Sequence, residues 1–142
     1  MNASYEEKSA WITLVCMVVV FGGYFAVAAS MLAAGVTKAI AFIPVFAVTV
    51  AGLVAALVIG HVTAAILGRR GGLDPADERD RVISWRAEHR SSWLLAVGVL
   101  AAVFGLALEV GSAWIANGLL MALFVAESLN YTLRVYYYRR GV

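Results

Sequence analysis

Three features of the sequence predict an all-α membrane protein, a bundle of four transmembrane helices. Of 142 residues, 63% are hydrophobic and 14% charged, against roughly 45–50% and about 25% in a soluble globular domain. The apolar residues are gathered into four long runs. The basic residues fall on one side of a membrane if there are four spans.

A helix needs about 20 mostly apolar residues to cross the hydrocarbon core. Residues 11–34, 39–67, 93–109 and 113–135 supply four such stretches. Each is apolar around its whole circumference, as a membrane span should be. The runs are too long and uniform for the alternating pattern of a barrel strand.

In the first span, Ala26-Val27-Ala28 resembles a small-residue cleavage site. Glu6 and Glu7 nevertheless outweigh Lys8 ahead of the run, and the run continues past Ala28. A signal peptide has a basic start and a shorter apolar core, so this reads as a retained span. Cys16 stands alone, with no partner for a disulfide or redox pair, and reads as a packing residue. In the second span, Pro44 predicts a kink near the outer end and Gly60 a looser inner end.

The segment between spans two and three holds Arg69, Arg70, Arg79, Arg81, Arg86 and Arg90. The carboxyl-terminal end holds Arg134, Arg139 and Arg140, and the amino terminus Lys8. The other two connections hold only Lys38. This asymmetry predicts that both termini and the central loop are cytoplasmic. Trp11, Trp85, Trp93, Trp114 and Tyr136-Tyr137-Tyr138 lie near span ends, where amphipathic rings anchor at the membrane–water interface.

Within the central loop, Gly71-Gly72 breaks the chain and Asp74 reads as an N-cap. Pro75 suits the first helical position, and Asp77 and Glu78 favour the positive end of the dipole. A short helix is expected at about 75–90, with Val82, Trp85 and His89 on one face. That face is expected to lie on the membrane or pack under the bundle. Arg79, Arg81, Trp85, Arg86 and Arg90 form the expected surface for anionic headgroups or a protein partner.

The segment Asp77-Glu78-Arg79-Asp80-Arg81-Val82-Ile83, with Arg86-Ala87-Glu88-His89-Arg90-Ser91, resembles the central loop of small uncharacterised prokaryotic four-helix membrane proteins. Some of those are encoded beside small helix-turn-helix regulators. The resemblance covers about fifteen residues. It implies a bacterial or archaeal cytoplasmic membrane and no catalytic residues.

The chain also repeats itself. Glu6-Glu7-Lys8-Ser9-Ala10-Trp11 precedes span one, and Glu88-His89-Arg90-Ser91-Ser92-Trp93 precedes span three. Span two ends in Leu67-Gly68-Arg69-Arg70-Gly71 and span four in Tyr137-Tyr138-Arg139-Arg140-Gly141. The expectation is two parallel-repeat helical hairpins in a pseudo-twofold bundle. Small residues predict close helix approach at Gly22, Gly23, Ala26, Ala29 and Ala33. The same holds for Gly52, Ala55 and Ala56, and for Gly98, Ala101 and Gly105.

Polar groups inside spans are expensive and therefore candidates for function. Glu127, Asn130, Tyr131 and Arg134 share one helix face by their spacing. A polar pocket or cation-coupled site centred on Glu127 is one reading, and a hydrogen-bonded clasp between helices the other. Glu109 lies near the outer end of span three. His61 lies about two turns from the inner end of span two, at the level of His89.

There is no Gly-rich phosphate loop, HExxH, GxSxG or intramembrane aspartate pair. The chain is therefore read as no enzyme, with no catalytic residue, metal or cofactor. A net charge of +2 does not argue for nucleic acid. The leading expectation is a non-enzymatic interaction, regulatory or lipid-binding protein, with a membrane or cytoplasmic protein partner. The alternatives are a small dimeric transporter or channel using Glu127, and more remotely a haem-binding electron carrier using His61 and His89.

Overall fold

The structure, a computed structural model, describes residues 5–68 and 78–140. The expected helix start at Asp74 and Pro75, together with Arg69 and Arg70, lies outside the described residues, as does the side chain of Arg79. The chain forms α1 (Tyr5–Ala33), a 3-10 turn (Ala39–Phe42), α2 (Ile43–Gly68), α3 (Glu78–Ala107) and α4 (Ser112–Arg140). All four α-helices are long and apolar enough to cross a membrane, and no strand occurs among the described residues. Large apolar side chains such as Val48, Phe104 and Leu108 point outward, as they do where lipid replaces a buried core.

Two boundaries differ from the sequence reading. The loop helix expected at about 75–90 and the span expected at 93–109 are one unbroken helix, α3. Nothing between Arg86 and Trp93 breaks a helix, because Ser91 and Ser92 each bond back to a carbonyl of the preceding turn. The packed face of this extension also differs. Ile83, Ala87 and Ser91 are buried, whereas Val82, Trp85 and His89 face outward. Residues 83, 87 and 91 follow the i, i+4 spacing of one stripe. Tyr137 and Leu133 of α4 cover the start of that stripe.

Pro44 does not kink α2. It falls in the first turn, just after the 3-10 turn, where the missing N–H leaves no bond unmade.

α1 and α4 pack together at the centre, α2 flanks α1, and α3 flanks α4. A pseudo-twofold relation would pair α3 with α2 as α1 pairs with α4. Among the described residues α2 and α3 share no extended interface. The larger core cluster joins Phe21, Tyr24 and Ala28 of α1 to Phe42 and to Ala113 of α4. At its centre the Tyr24 hydroxyl donates to Asn117 Oδ1 at 2.8 Å, and Asn117 Nδ2 donates to the Ala113 carbonyl at 2.8 Å.

The two short turns meet at this same end. Ala113 N–H donates to the Thr37 carbonyl at 3.1 Å, and Ala39 N–H to Ser112 Oγ at 3.2 Å. The first bond satisfies one of the orphan N–H groups that begin α4. At the opposite end Arg139 Nε donates to Glu7 Oε1 at 3.3 Å. Both described ends of the chain and the basic residues Arg90, Arg134, Arg139 and Arg140 thus gather at one end, the basic end.

Close approach occurs at fewer glycines than the small-residue pattern suggested. A Cβ on Gly98 would overlap Ala122 of α4, and one on Gly60 would lie 2.6 Å from Ile12 Cγ2 of α1. Gly22, Gly23 and Gly52 have open space beside them. Gly98→Ala should therefore destabilise the protein by about 1–3 kcal/mol, because the Ala122 methyl has no rotamer to retreat into. Gly52→Ala should be neutral or stabilising by up to ~1 kcal/mol through helix propensity. Thermal melts of both variants in detergent check the contrast.

Candidate functional site

The polar side chains expected to carry function divide into three groups. The first is a cleft at the basic end where α1, α2 and α4 converge. Its lining is Ser9, Ala10 and Thr13 of α1, His61 of α2, and Tyr131, Arg134 and Tyr138 of α4. The cleft holds about 120 Å3. That is far above the ~10–15 Å3 one water needs and below the ~300 Å3 at the lower end for drug-sized ligands.

Gly60 is what lets this cleft form, since its missing side chain allows Ile12 and α1 close to α2. At that approach Ser9 Oγ lies 3.1 Å from His61 Nε2. His61 Nδ1 lies 2.8 Å from the Leu57 carbonyl. A carbonyl only accepts, so Nδ1 carries a proton, and in the neutral ring Nε2 accepts from the Ser9 hydroxyl. Thr13 Oγ1 donates to the Ser9 carbonyl at 3.1 Å, which fixes the α1 side of the cleft.

Arg134 is held from two directions. Its Nε donates to Asn130 Oδ1 at 3.1 Å, and its guanidinium carbon sits 5.2 Å from the Tyr131 ring centre. Asn130, itself buried, donates through Nδ2 to Glu127 Oε2 at 3.4 Å. The shared face of α4 thus carries a ladder of bonds along one helix, Glu127 to Asn130 to Arg134. Glu127 does not line the cleft. Of the six residues singled out for a ligand or ion pathway, the structure brings His61, Tyr131 and Arg134 to the cleft. Asn130 and Glu127 stand behind Arg134.

The second group is the α3 extension. Arg81, Trp85, Arg86, His89 and Arg90 are exposed, with the Trp85 and His89 rings stacked at 5.8 Å. His89 therefore sits on the helix flanking α4, while His61 sits on the helix flanking α1, and the two are not brought together. No cluster of three or more potential metal ligands occurs among the described residues.

The third is Glu109, whose place is explained by the chain turn. It adopts φ 56° at the end of α3. Val110 N–H bonds the Gly105 carbonyl at 2.9 Å and Glu109 N–H the Leu106 carbonyl at 3.1 Å. This is a Schellman cap with glutamate in the left-handed position that glycine favours. Gly35 occupies the equivalent position after α1, at φ 86°.

Sequence reasoning missed Ser9, Thr13 and Tyr138 as cleft residues. A depth comparison would have found them. Ser9 and Thr13 are one turn apart near the start of α1, at the level His61 reaches near the end of α2.

Glu109→Gly should raise stability by about 1–2 kcal/mol by removing the left-handed cost, and chemical denaturation in detergent against wild type measures it. No protein-family model, curated protein or solved structure matches this chain.

Proposed function

We propose that the chain is a non-enzymatic, multi-pass protein of a bacterial or archaeal cytoplasmic membrane. Its basic end faces the cytoplasm, binds anionic lipid headgroups, and presents the exposed face of α3 to a membrane or cytoplasmic protein partner. What carries this reading is the seating of arginines on aromatic rings at that end. Arg139 lies over Trp11 at 5.5 Å, Arg140 over Tyr136 at 4.9 Å, and Arg90 over Tyr137 at 6.0 Å. An aromatic ring holds a guanidinium near the interface and leaves its outer N–H groups for phosphates.

Helix length supports it as well. α3 has 30 residues, or ~45 Å at 1.5 Å per residue, against a hydrocarbon core of about 30 Å. Its first turns, with exposed Arg81, Trp85 and Arg86, therefore reach into the headgroup layer or beyond. Duplication of a two-helix hairpin accounts for the matching Lys8-Ser9-Ala10-Trp11 and Arg90-Ser91-Ser92-Trp93. The proposal includes a homodimer.

Two measurements test this. In a Cys16→Ala background, an impermeant thiol reagent applied to intact cells should label Thr37→Cys and spare Arg139→Cys; the reverse pattern would overturn the orientation. In mixed phosphatidylglycerol–phosphatidylcholine nanodiscs, the wild type should retain anionic lipid on ejection into a mass spectrometer. Replacing Arg81, Arg86 and Arg90 together by Gln should lower that retention roughly a hundredfold, at ~1 kcal/mol per arginine. Unchanged retention would leave a protein partner as the use of this face.

A further inference from the structure

The cleft between α1, α2 and α4 uses residues separate from the α3 surface, and its chemistry points elsewhere than the carboxylate-centred site the sequence suggested. We propose that it is a binding site for a single phosphate group. Among the described residues its lining contains one permanent cation, Arg134, three hydroxyl-bearing side chains besides Tyr138, and no carboxylate. No aspartate or glutamate pairs with Arg134 among those residues. A metal ion or ammonium would meet an unopposed positive charge there. A neutral guest would leave the guanidinium with no counter-charge in direct contact, since Asn130 stands between it and Glu127, in a partly desolvated place, which is costly.

The geometry selects the anion further. Arg134 spends Nε on Asn130 and lies over the Tyr131 ring. Its planar fork is thereby fixed, and the two terminal nitrogens remain to bind two oxygens of one oxyanion side by side. Across the cleft, the neutral His61 ring accepts the hydrogen bond of the Ser9 hydroxyl, so Ser9 Oγ presents lone pairs rather than a hydrogen to the cleft. An oxyanion that keeps one hydroxyl suits both sides: its charged oxygens face Arg134 and its P–OH donates to Ser9. A phosphate group in its monoanionic form has this arrangement, whereas a carboxylate has none to offer Ser9.

Size and depth agree. About 120 Å3 has room for a phosphate group, with the remainder of any larger phosphate ester left outside the open cleft. Arg134 is six residues from Arg140, the last residue of α4. That is ~9 Å along the helix axis, close to the boundary of the headgroup layer, which is about 5–8 Å deep on each side. The same chemistry therefore has two sources, the phosphomonoester headgroup of a lipid such as phosphatidic acid and phosphate from the aqueous side.

The test uses the full chain in dodecyl maltoside, where no lipid surface contributes, titrated calorimetrically with inorganic phosphate. A one-site isotherm is expected. Arg134→Gln should weaken it at least tenfold and Ser9→Ala several-fold, while Ser30→Ala, exposed at the far end, should leave it unchanged. A parallel arm ejects the protein from phosphatidylcholine nanodiscs doped with phosphatidic acid. Silence toward inorganic phosphate, with one phosphatidic acid retained by wild type and lost in Arg134→Gln, assigns the site to a lipid headgroup. Should Arg134→Gln fail to fold, Ser9→Ala and Arg134→Lys carry the comparison; Lys keeps the charge and loses the fork, so weakening is still expected. Neither probe binding, or binding that Ser9→Ala and every soluble Arg134 variant leave intact, overturns the proposal. Because inorganic phosphate does not report on the α3 arginines, failure here is distinct from failure of the surface reading.

Discussion

Two helical hairpins in hydrocarbon gain little from burying leucine against leucine, because lipid tails are equally apolar. What joins them must be close packing and hydrogen bonds. Here that junction is the seam between α1 and α4, since α2 and α3 share no extended interface among the described residues. The seam is fastened at three levels: the turn contacts of Thr37 and Ala39 with α4, the buried Tyr24–Asn117 bond, and Glu7 with Arg139. These are not equal. The Glu7–Arg139 pair ends in an exposed guanidinium and contributes ~0–1 kcal/mol. The Tyr24–Asn117 bond is buried, and its loss would strand an amide oxygen in an apolar surrounding.

The seam also decides where the polar chemistry lies. α4 touches α1 on one side and α3 on the other. Its polar ladder from Glu127 through Asn130 to Arg134 is thereby turned toward α1 and α2, and its Tyr137 face toward Ile83 and Ala87 of α3. One helix thus separates two positive regions, an outward one on α3 and a recessed one in the cleft. Electrostatics alone would disperse these arginines. Aromatic rings and the Asn130 amide hold them in place.

The candidate site was legible where a polar residue broke an apolar run. Arg134, Tyr131 and His61 stood out for that reason, and all three line the cleft. Ser9 and Thr13 did not, because hydroxyls near a span end carry little cost and hence little signal. Glu127 is equally conspicuous in sequence, and the structure places Asn130 between it and the cleft cation. Glu109 was conspicuous for the same reason, and a helix cap explains its position.

The sequence by itself determined four helical spans, because a backbone in lipid must satisfy its own hydrogen bonds and about 20 apolar residues are needed to do so across the core. It also led to the expectation that the basic segments lie on one side, since an even number of crossings returns a chain to the side it left, and the described Arg90, Arg134, Arg139 and Arg140 do gather at one end. Only the tertiary structure decided which helices touch. Spans that are apolar all round have no stripe to announce a partner, so the order α2, α1, α4, α3 rests on which surfaces fit. Gly98 and Gly60 meet a neighbour while Gly22 and Gly52 do not. Tertiary contact likewise decided that α3 runs unbroken from Glu78 to Ala107 with Ile83 and Ala87 inward. The periodicity of a mixed polar segment allowed more than one face, and Tyr137 selected one of them.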